Sequence, residues 1–164
     1  MKRIGLISDT HSYLDEAVCK HFEKCDEIWH CGDFGTAALS EQLEKCKPVK
    51  GVYGNIDGQD IRSHFPEVLK FECENVKVLM IHIGGYPGKY TALAKAEITA
   101  YQPQLFISGH SHILRIMYDD KFKCLYINPG AAGKQGWHKV RTLVRFVIDG
   151  ANIRECEVIE LGKR

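Results

Sequence analysis

"RIGLISDTH", residues 3–11, decides how the rest of the chain is read. Apolar Ile4–Ile7 gives way at once to Ser8, Asp9, Thr10 and His11. Arg3–Ser8 reads as a strand whose end delivers a carboxylate and an imidazole two residues apart. The same plan returns four times. "EIWHCGD" (27–33) ends on Asp33, "VKGVYGN" (49–55) on Asn55, "VKVLMIH" (76–82) on His82, and "LFISGHSH" (105–112) on His110 and His112. Helical patterns, Leu14–Phe22 and Ala37–Cys46, separate the first three strands, Arg3–Ser8, Glu27–His30 and Val49–Tyr53. That βαβαβ rhythm predicts parallel strands with helices on one face. Ligand sites of such sheets lie at the carboxyl ends of the strands.

Further along, Val68–Cys73 and Val76–Ile81 form a hairpin about Glu74-Asn75, and a helix runs over Tyr90–Tyr101, closed by Pro103. Leu105–Ile107 is a strand. Ile113–Tyr118 with Phe122–Ile127, and Thr142–Ile148 with Asn152–Glu160, read as two more hairpins, the second turning at Asp149-Gly150. The expected fold class is α/β: two packed mixed β-sheets flanked by helices, in one domain over residues 1–164. Lysine and arginine number 22 against 21 aspartate and glutamate, a formal charge of +1. That balance offers no electrostatic footprint for long nucleic acid or an anionic membrane. No run reaches the ~18 apolar residues of a membrane span, and the N-terminal apolar run is too short for a secretory signal. Seven cysteines, none at CxxC spacing, suggest neither a disulfide framework nor a zinc knuckle. Free thiols fit a reducing compartment, so a cytoplasmic location is expected.

Asp9 with His11, and His110 with His112, stand at i and i+2, which share one side of extended backbone. Gly32, Gly54 and Gly109 each precede a candidate ligand, where glycine permits a sharp turn. Carboxylate, amide and imidazole together suit manganese, iron, nickel or zinc better than calcium. Seven ligands exceed one ordinary site and fit two ions sharing a carboxylate.

Asp-x-His, Gly-Asp, Gly-Asn, His and Gly-His-x-His, in this order, resemble the calcineurin-like metallophosphoesterase superfamily, and the short chain is similar to its small YfcE-type phosphodiesterase branch. The resemblance runs from Ile4 to about Gly130. It implies the α-β-β-α sandwich of that superfamily. It implies one metal on Asp9, His11, Asp33 and His112, a second on Asp33, Asn55, His82 and His110, and Asp33 bridging. The implied cofactors are two divalent ions, Mn²⁺ first, with Zn²⁺, Fe²⁺ or Ni²⁺ as alternatives. The implied activity is a metal-dependent phosphodiesterase in which a dimetal-bridging hydroxide attacks phosphorus of a small phosphodiester, with Asp33, Asn55 and His82 as catalytic residues. His30, three residues before Asp33, would orient a ligand from behind. Relatives commonly associate, so a homodimer is implied.

Two departures stand out. Ile56 follows Gly54-Asn55 where many members carry a proton-donating histidine, and Ile83 occupies "HIGG" (82–85) where small members often have His-Gly-His. Asp57 thereby loses its usual partner. Substrates with good leaving groups are expected. Two other functions compete: a non-catalytic scaffold resembling the small retromer subunit, and a phosphomonoesterase or nucleotide pyrophosphohydrolase. "NPGAAG" (128–133) reads equally as a pocket border or a plain turn. Trp137-His138 reads as an exposed loop pair, Arg115, Arg141 and Arg145 as solvated strand positions, His21 and His64 as surface residues, and the cysteines as small apolar packers.

Overall fold

The computed structural model describes residues 1–164. The strand-and-helix alternation at the start of the chain becomes β1 (Lys2–Ile7), α1 (Val18–His21), β2 (Glu27–His30), α2 (Ala37–Cys46) and β3 (Val49–Gly51). The three strands are parallel neighbours. After α3 (Gln59–Arg62), β4 (Val68–Cys73) and β5 (Val76–Ile81) pair antiparallel. A two-stranded ribbon, β6 (Gly85–Tyr86) and β7 (Lys89–Tyr90), leads into α4 (Ala92–Tyr101) and β8 (Leu105–Ile107), which runs parallel to β5. Then come β9 (Arg115–Asp119), β10 (Cys124–Asn128), β11 (Val140–Asp149) and β12 (Asn152–Lys163). One mixed sheet has the order β12-β11-β1-β2-β3 and the other β4-β5-β8-β10-β9.

Three apolar layers hold these sheets. Ile4, Leu6, Trp29, Val78, Met80, Ile107 and Phe146 fill the space between them. Trp29 meets Phe71 and Phe146 edge-on, with centroids 5.0 and 5.7 Å away, an arrangement that adds roughly 0.5–1.5 kcal/mol per pair beyond burial. Val18, Phe22, Leu39, Leu43 and Ile61 seat α1, α2 and α3 on the outer face of the first sheet. Ala94 and Ile98 seat α4 on the outer face of the second. The parallel strands β1, β2 and β3, with β5 and β8, therefore send their carboxyl ends to one rim.

The structure departs from the sequence reading in several places. Helix α1 begins only at Val18, because Asp15 accepts the Ala17 N–H (2.8 Å) and pairs with Arg141 (2.8 Å). Arg141 is correspondingly not solvated: it is 6% exposed and also donates to the Lys163 and Leu161 carbonyls. Arg145 is likewise engaged, by the His21 carbonyl and Glu157. The helix expected from Tyr90 starts at Ala92, with Thr91 as its cap, since Tyr90 belongs to the ribbon. The cysteines are not all thiols. Cys19 in α1 is joined to Cys46 at the end of α2, with Cα atoms 5.7 Å apart, and five remain free. Residues 27 apart give no local signal; the pairing arises because α1 and α2 lie on the same sheet face. No helix is long and apolar enough to cross a membrane.

Candidate metal centre

Three of the five strand ends turn sharply. Asp9, His11, Asp33, His110 and His112 all adopt the left-handed conformation, φ between 44° and 68°. The i, i+2 argument from extended backbone is thus corrected: left-handed turns, not strand alternation, aim these side chains. Such conformations cost roughly 1–3 kcal/mol each and persist only where surroundings over-determine them. Here the His11 N–H donates to the Asp33 carbonyl (3.0 Å), Gly109 N–H to the His82 carbonyl (3.0 Å) and Gly133 N–H to the Asp9 carbonyl (3.1 Å). The loops are sewn to one another across the rim. The glycine argument is also refined. Gly32 does need its positive φ of 100°. Gly54 and Gly109 serve by close approach, since a Cβ on them would strike Asp33 and Ser8.

The loops bring the seven candidate ligands together. Asp9, His11 and His112 form one group and Asp33, His82 and His110 another, with ligand atoms within 4.8 Å of each other in each. Asp33 Oδ2 lies 3.4 Å from His11 Nε2 and 3.2 Å from His82 Nε2, so it stands between the groups. Asn55 Oδ1 faces His82 Nε2 at 3.1 Å and His110 Nδ1 at 3.0 Å. Asp9, Asp33 and His82 are buried, His11 and His112 half-buried, and Asn55 and His110 exposed, so the cluster opens on the Asn55 side.

The hydrogen bonding tests whether cations suit this cluster. Ser8 Oγ and the His110 N–H satisfy Asp9 Oδ2 (2.6 and 3.1 Å). Asp9 Oδ1 and His11 Nε2 are buried with no hydrogen-bond partner, which native proteins rarely tolerate. Asp9 Oδ1 also has His112 Nε2 at 3.1 Å. His82 commits Nδ1–H to the Cys31 carbonyl (2.7 Å), which turns Nε2 toward the oxygens of Asp33 and Asn55. Burial opposes charge on His82, but the Asp33 hydrogen bond and the fields of Asp9 and Asp33 outweigh it and raise its pKa. Burial likewise opposes the Asp33 carboxylate, yet His82 and the Ile56 N–H hold its pKa below the usual value. Oxygen and imidazole donors converging on unpartnered atoms fit divalent cations.

Several supporting residues carry the geometry. His30 is fully buried, accepts the Gly32 N–H on Nδ1 (3.1 Å) and lies 2.9 Å from Thr10 Oγ1 through Nε2. Burial, only partly offset by the Asp9 field, brings its pKa down to about 3. It therefore supports the Asp9 and Asp33 loops as a neutral ring. Asp57 has found new partners: it accepts the N–H groups of Gly54 (2.8 Å), Gly35 (2.9 Å) and Phe34 (3.2 Å), clamping the Asp33 loop to the Asn55 loop. Asn128, at the head of "NPGAAG", donates to the Gly109 carbonyl (3.0 Å) and Ser111 Oγ (3.1 Å) and accepts the Gly130 N–H (3.0 Å). "NPGAAG" is thus a border of the cluster, not a plain turn. His138 packs edge-on to His112 at 5.2 Å, whereas Trp137 is 99% exposed. Ile56 and Ile83 are both partly exposed.

Residues 1–151 match the model of the calcineurin-like phosphoesterase superfamily domain. A probable metallophosphoesterase from Methanothermobacter thermautotrophicus is 33% identical over 166 residues, covering 97% of this chain and 92% of the relative. Wild-type Vps29 from Entamoeba histolytica, in complex with zinc, superimposes with a TM-score of 0.72 at 17% identity, covering 96% of this chain and 98% of that one. The Escherichia coli phosphoesterase YfcE superimposes with a TM-score of 0.65 at 19% identity, covering 87% of each chain. The two structural likenesses show a shared fold.

Proposed function

Since this chain belongs to the calcineurin-like phosphoesterase superfamily, we propose that it is a metal-dependent phosphodiesterase acting on a small phosphodiester. The observation that carries the reading is the pair of facing ligand groups with Asp33 between them and a buried Asp9 Oδ1 left without a hydrogen-bond partner. Asp9, His11, Asp33 and His112 would hold one ion and Asp33, Asn55, His82 and His110 the other, with Mn²⁺ the favoured metal. Such ions, when bound, supply Lewis acidity toward water and phosphoryl oxygen.

The chain's own residues do the rest. Cys31 fixes the His82 ring through Nδ1, so Nε2 can face only the site. Asn55 directs Oδ1 at two imidazoles, which leaves its amide N–H groups to donate to a phosphoryl oxygen, a preorganised contribution to charge stabilisation. The buried floor of Asp9, Asp33 and His82 excludes water from beneath the phosphoryl group. Ile56 has no proton to give, so the leaving group must depart as a stable anion or take its proton from solvent. We further propose a homodimeric assembly; the Cys19–Cys46 bond removes the free-thiol argument for a cytoplasmic location.

One observation favours a second reading, a partner-binding scaffold. Ile113, Leu114, Ile116, Met117 and Tyr118 are exposed in succession along and just before β9, an unpaired sheet edge; long apolar edges invite association. Activity separates the two readings. Chelator-stripped protein is titrated with Mn²⁺ while hydrolysis of bis(p-nitrophenyl) phosphate is followed, with p-nitrophenyl phosphate in parallel and Asp33→Asn as control. Metal-dependent diester cleavage, absent in the variant and weak on the monoester, supports the phosphodiesterase. Faster monoester cleavage supports a phosphomonoesterase, and no turnover with any divalent ion supports the scaffold.

A further inference from the structure

Asn55 and His82 also border a groove of about 210 Å³, whose other walls include Tyr53, Arg62, Glu67, Ile83 and Leu93. Ile83 and Leu93 leave 41% and 38% of their surface in solvent and line the groove beside the polar cluster. In the same lining the Arg62 guanidinium lies over the Tyr53 ring, 4.4 Å from its centroid. Arg62 is held there by its Nε–H bond to the Asp57 carbonyl (2.7 Å), so a cation and an aromatic ring stand together at a fixed place in the groove. Arg62 and Glu67 contribute one positive and one negative charge, leaving no surplus for a second phosphate. The volume falls below the roughly 300–1,000 Å³ of sites that enclose a whole drug-sized ligand, and suits a single ring. Ile83 is one of the two positions where this chain departs from the family pattern, so the apolar wall belongs to this protein's own sequence.

We infer that this groove receives one aryl ester group of the substrate, and that Ile83 and Leu93 are specificity-determining residues that select a flat, uncharged ring over a small alkyl or a charged group. The inference rests on the phosphodiesterase reading and narrows its substrate class to aryl phosphodiesters. The ring would contact the aliphatic pair and the Tyr53–Arg62 pair of the lining, where aromatic and cation–π contacts add to burial.

The test uses the full chain loaded with Mn²⁺ and two probes, phenyl phosphate and methyl phosphate, which differ only in the group offered to the groove. Calorimetry gives the affinity of each for the wild type, Leu93→Asp and Leu93→Met. Leu93 lies in the first turn of α4, where an aspartate suits the helix dipole, so the charged variant folds. Phenyl phosphate is expected to bind about tenfold more tightly than methyl phosphate to the wild type, about 1.4 kcal/mol. Leu93→Asp should abolish that difference by weakening phenyl phosphate more than methyl phosphate, and Leu93→Met should keep it. Equal affinities in the wild type, or a difference that survives in Leu93→Asp, overturns the inference. If bis(p-nitrophenyl) phosphate is still hydrolysed in that case, the groove assignment alone falls. If neither probe binds and no diester is cleaved, the phosphodiesterase reading falls and takes the groove with it.

Discussion

Asp57 is the residue through which the structure makes its sharpest claim about how the site is held. Its carboxylate is 3% exposed and touches no candidate ligand side chain, yet it accepts three backbone N–H groups from two loops. In Asp57→Ala the donors of Phe34 and Gly54 are left in buried backbone, while that of Gly35 is half-buried and regains some water. Leaving a buried donor unpaired costs roughly 1–3 kcal/mol, so the loss should be about 3–5 kcal/mol, less than a simple sum because neighbouring terms do not add. Asp57→Asn keeps one oxygen, which can serve Gly54 and Phe34 while the amide faces Gly35. It should lose only about 1–2 kcal/mol by the same reasoning. Urea unfolding of chelator-treated protein at pH 7, followed by circular dichroism, reads both numbers. With a slope of about 1–3 kcal/mol per molar urea, the alanine variant should unfold at a midpoint lower by at least about 1 M. An alanine variant within 1 kcal/mol of wild type, or an asparagine variant less stable than alanine, would refute the clamp.

Three other perturbations have defined outcomes. His30 is neutral in the fold with a pKa of about 3, below its unfolded value of about 6.5, so the unfolded chain takes up the proton first. Its contribution is therefore complete above pH 6.5 and lost at about 1.4 kcal/mol per unit as pH falls from there toward 3; a proton NMR titration placing its midpoint near 6 contradicts this. Ile56→His places an imidazole beside Asn55, and general acids are commonly worth about 10²–10⁴-fold. Even an imperfectly placed ring should raise kcat/KM at least about tenfold for alkyl leaving groups relative to p-nitrophenolate, and equal changes for both would mean no proton is delivered. Cys46→Ser removes the link to Cys19 across 27 residues of chain, which should lower stability of air-oxidised protein by about 3–4 kcal/mol. With excess thiol present, wild type and variant should unfold at the same urea concentration.

Much of the fold was legible because its strands are short apolar runs ending abruptly in polar residues. Glu27–His30, Ala37–Cys46, Val68–Cys73, Val76–Ile81 and Leu105–Ile107 keep the boundaries read from the sequence. The seven candidate ligands were legible for the same reason, each standing just past a strand. What was hidden depends on contacts distant in sequence. Left-handed backbone at Asp9, His11, Asp33, His110 and His112 is held by bonds between loops, and no local pattern announces it. Asp57 and Asn128 act on backbone groups about 20 residues away, so their types did not reveal those partners. Arg141 looked solvated because its partner Asp15 lies 126 residues earlier. The β6–β7 ribbon has two residues per strand, too few for periodicity to register.

The central claim is that one rim of this sandwich binds two divalent ions that share Asp33. Calorimetric titration of Mn²⁺ into chelator-stripped protein tests it most directly, with electron paramagnetic resonance reporting whether bound ions sense each other. Two ions per chain, spin-coupled in the wild type and with both affinities weakened in Asp33→Asn, is the predicted result. Binding of a single ion, or of two whose affinities and spectra are indifferent to Asp33→Asn, would contradict the account.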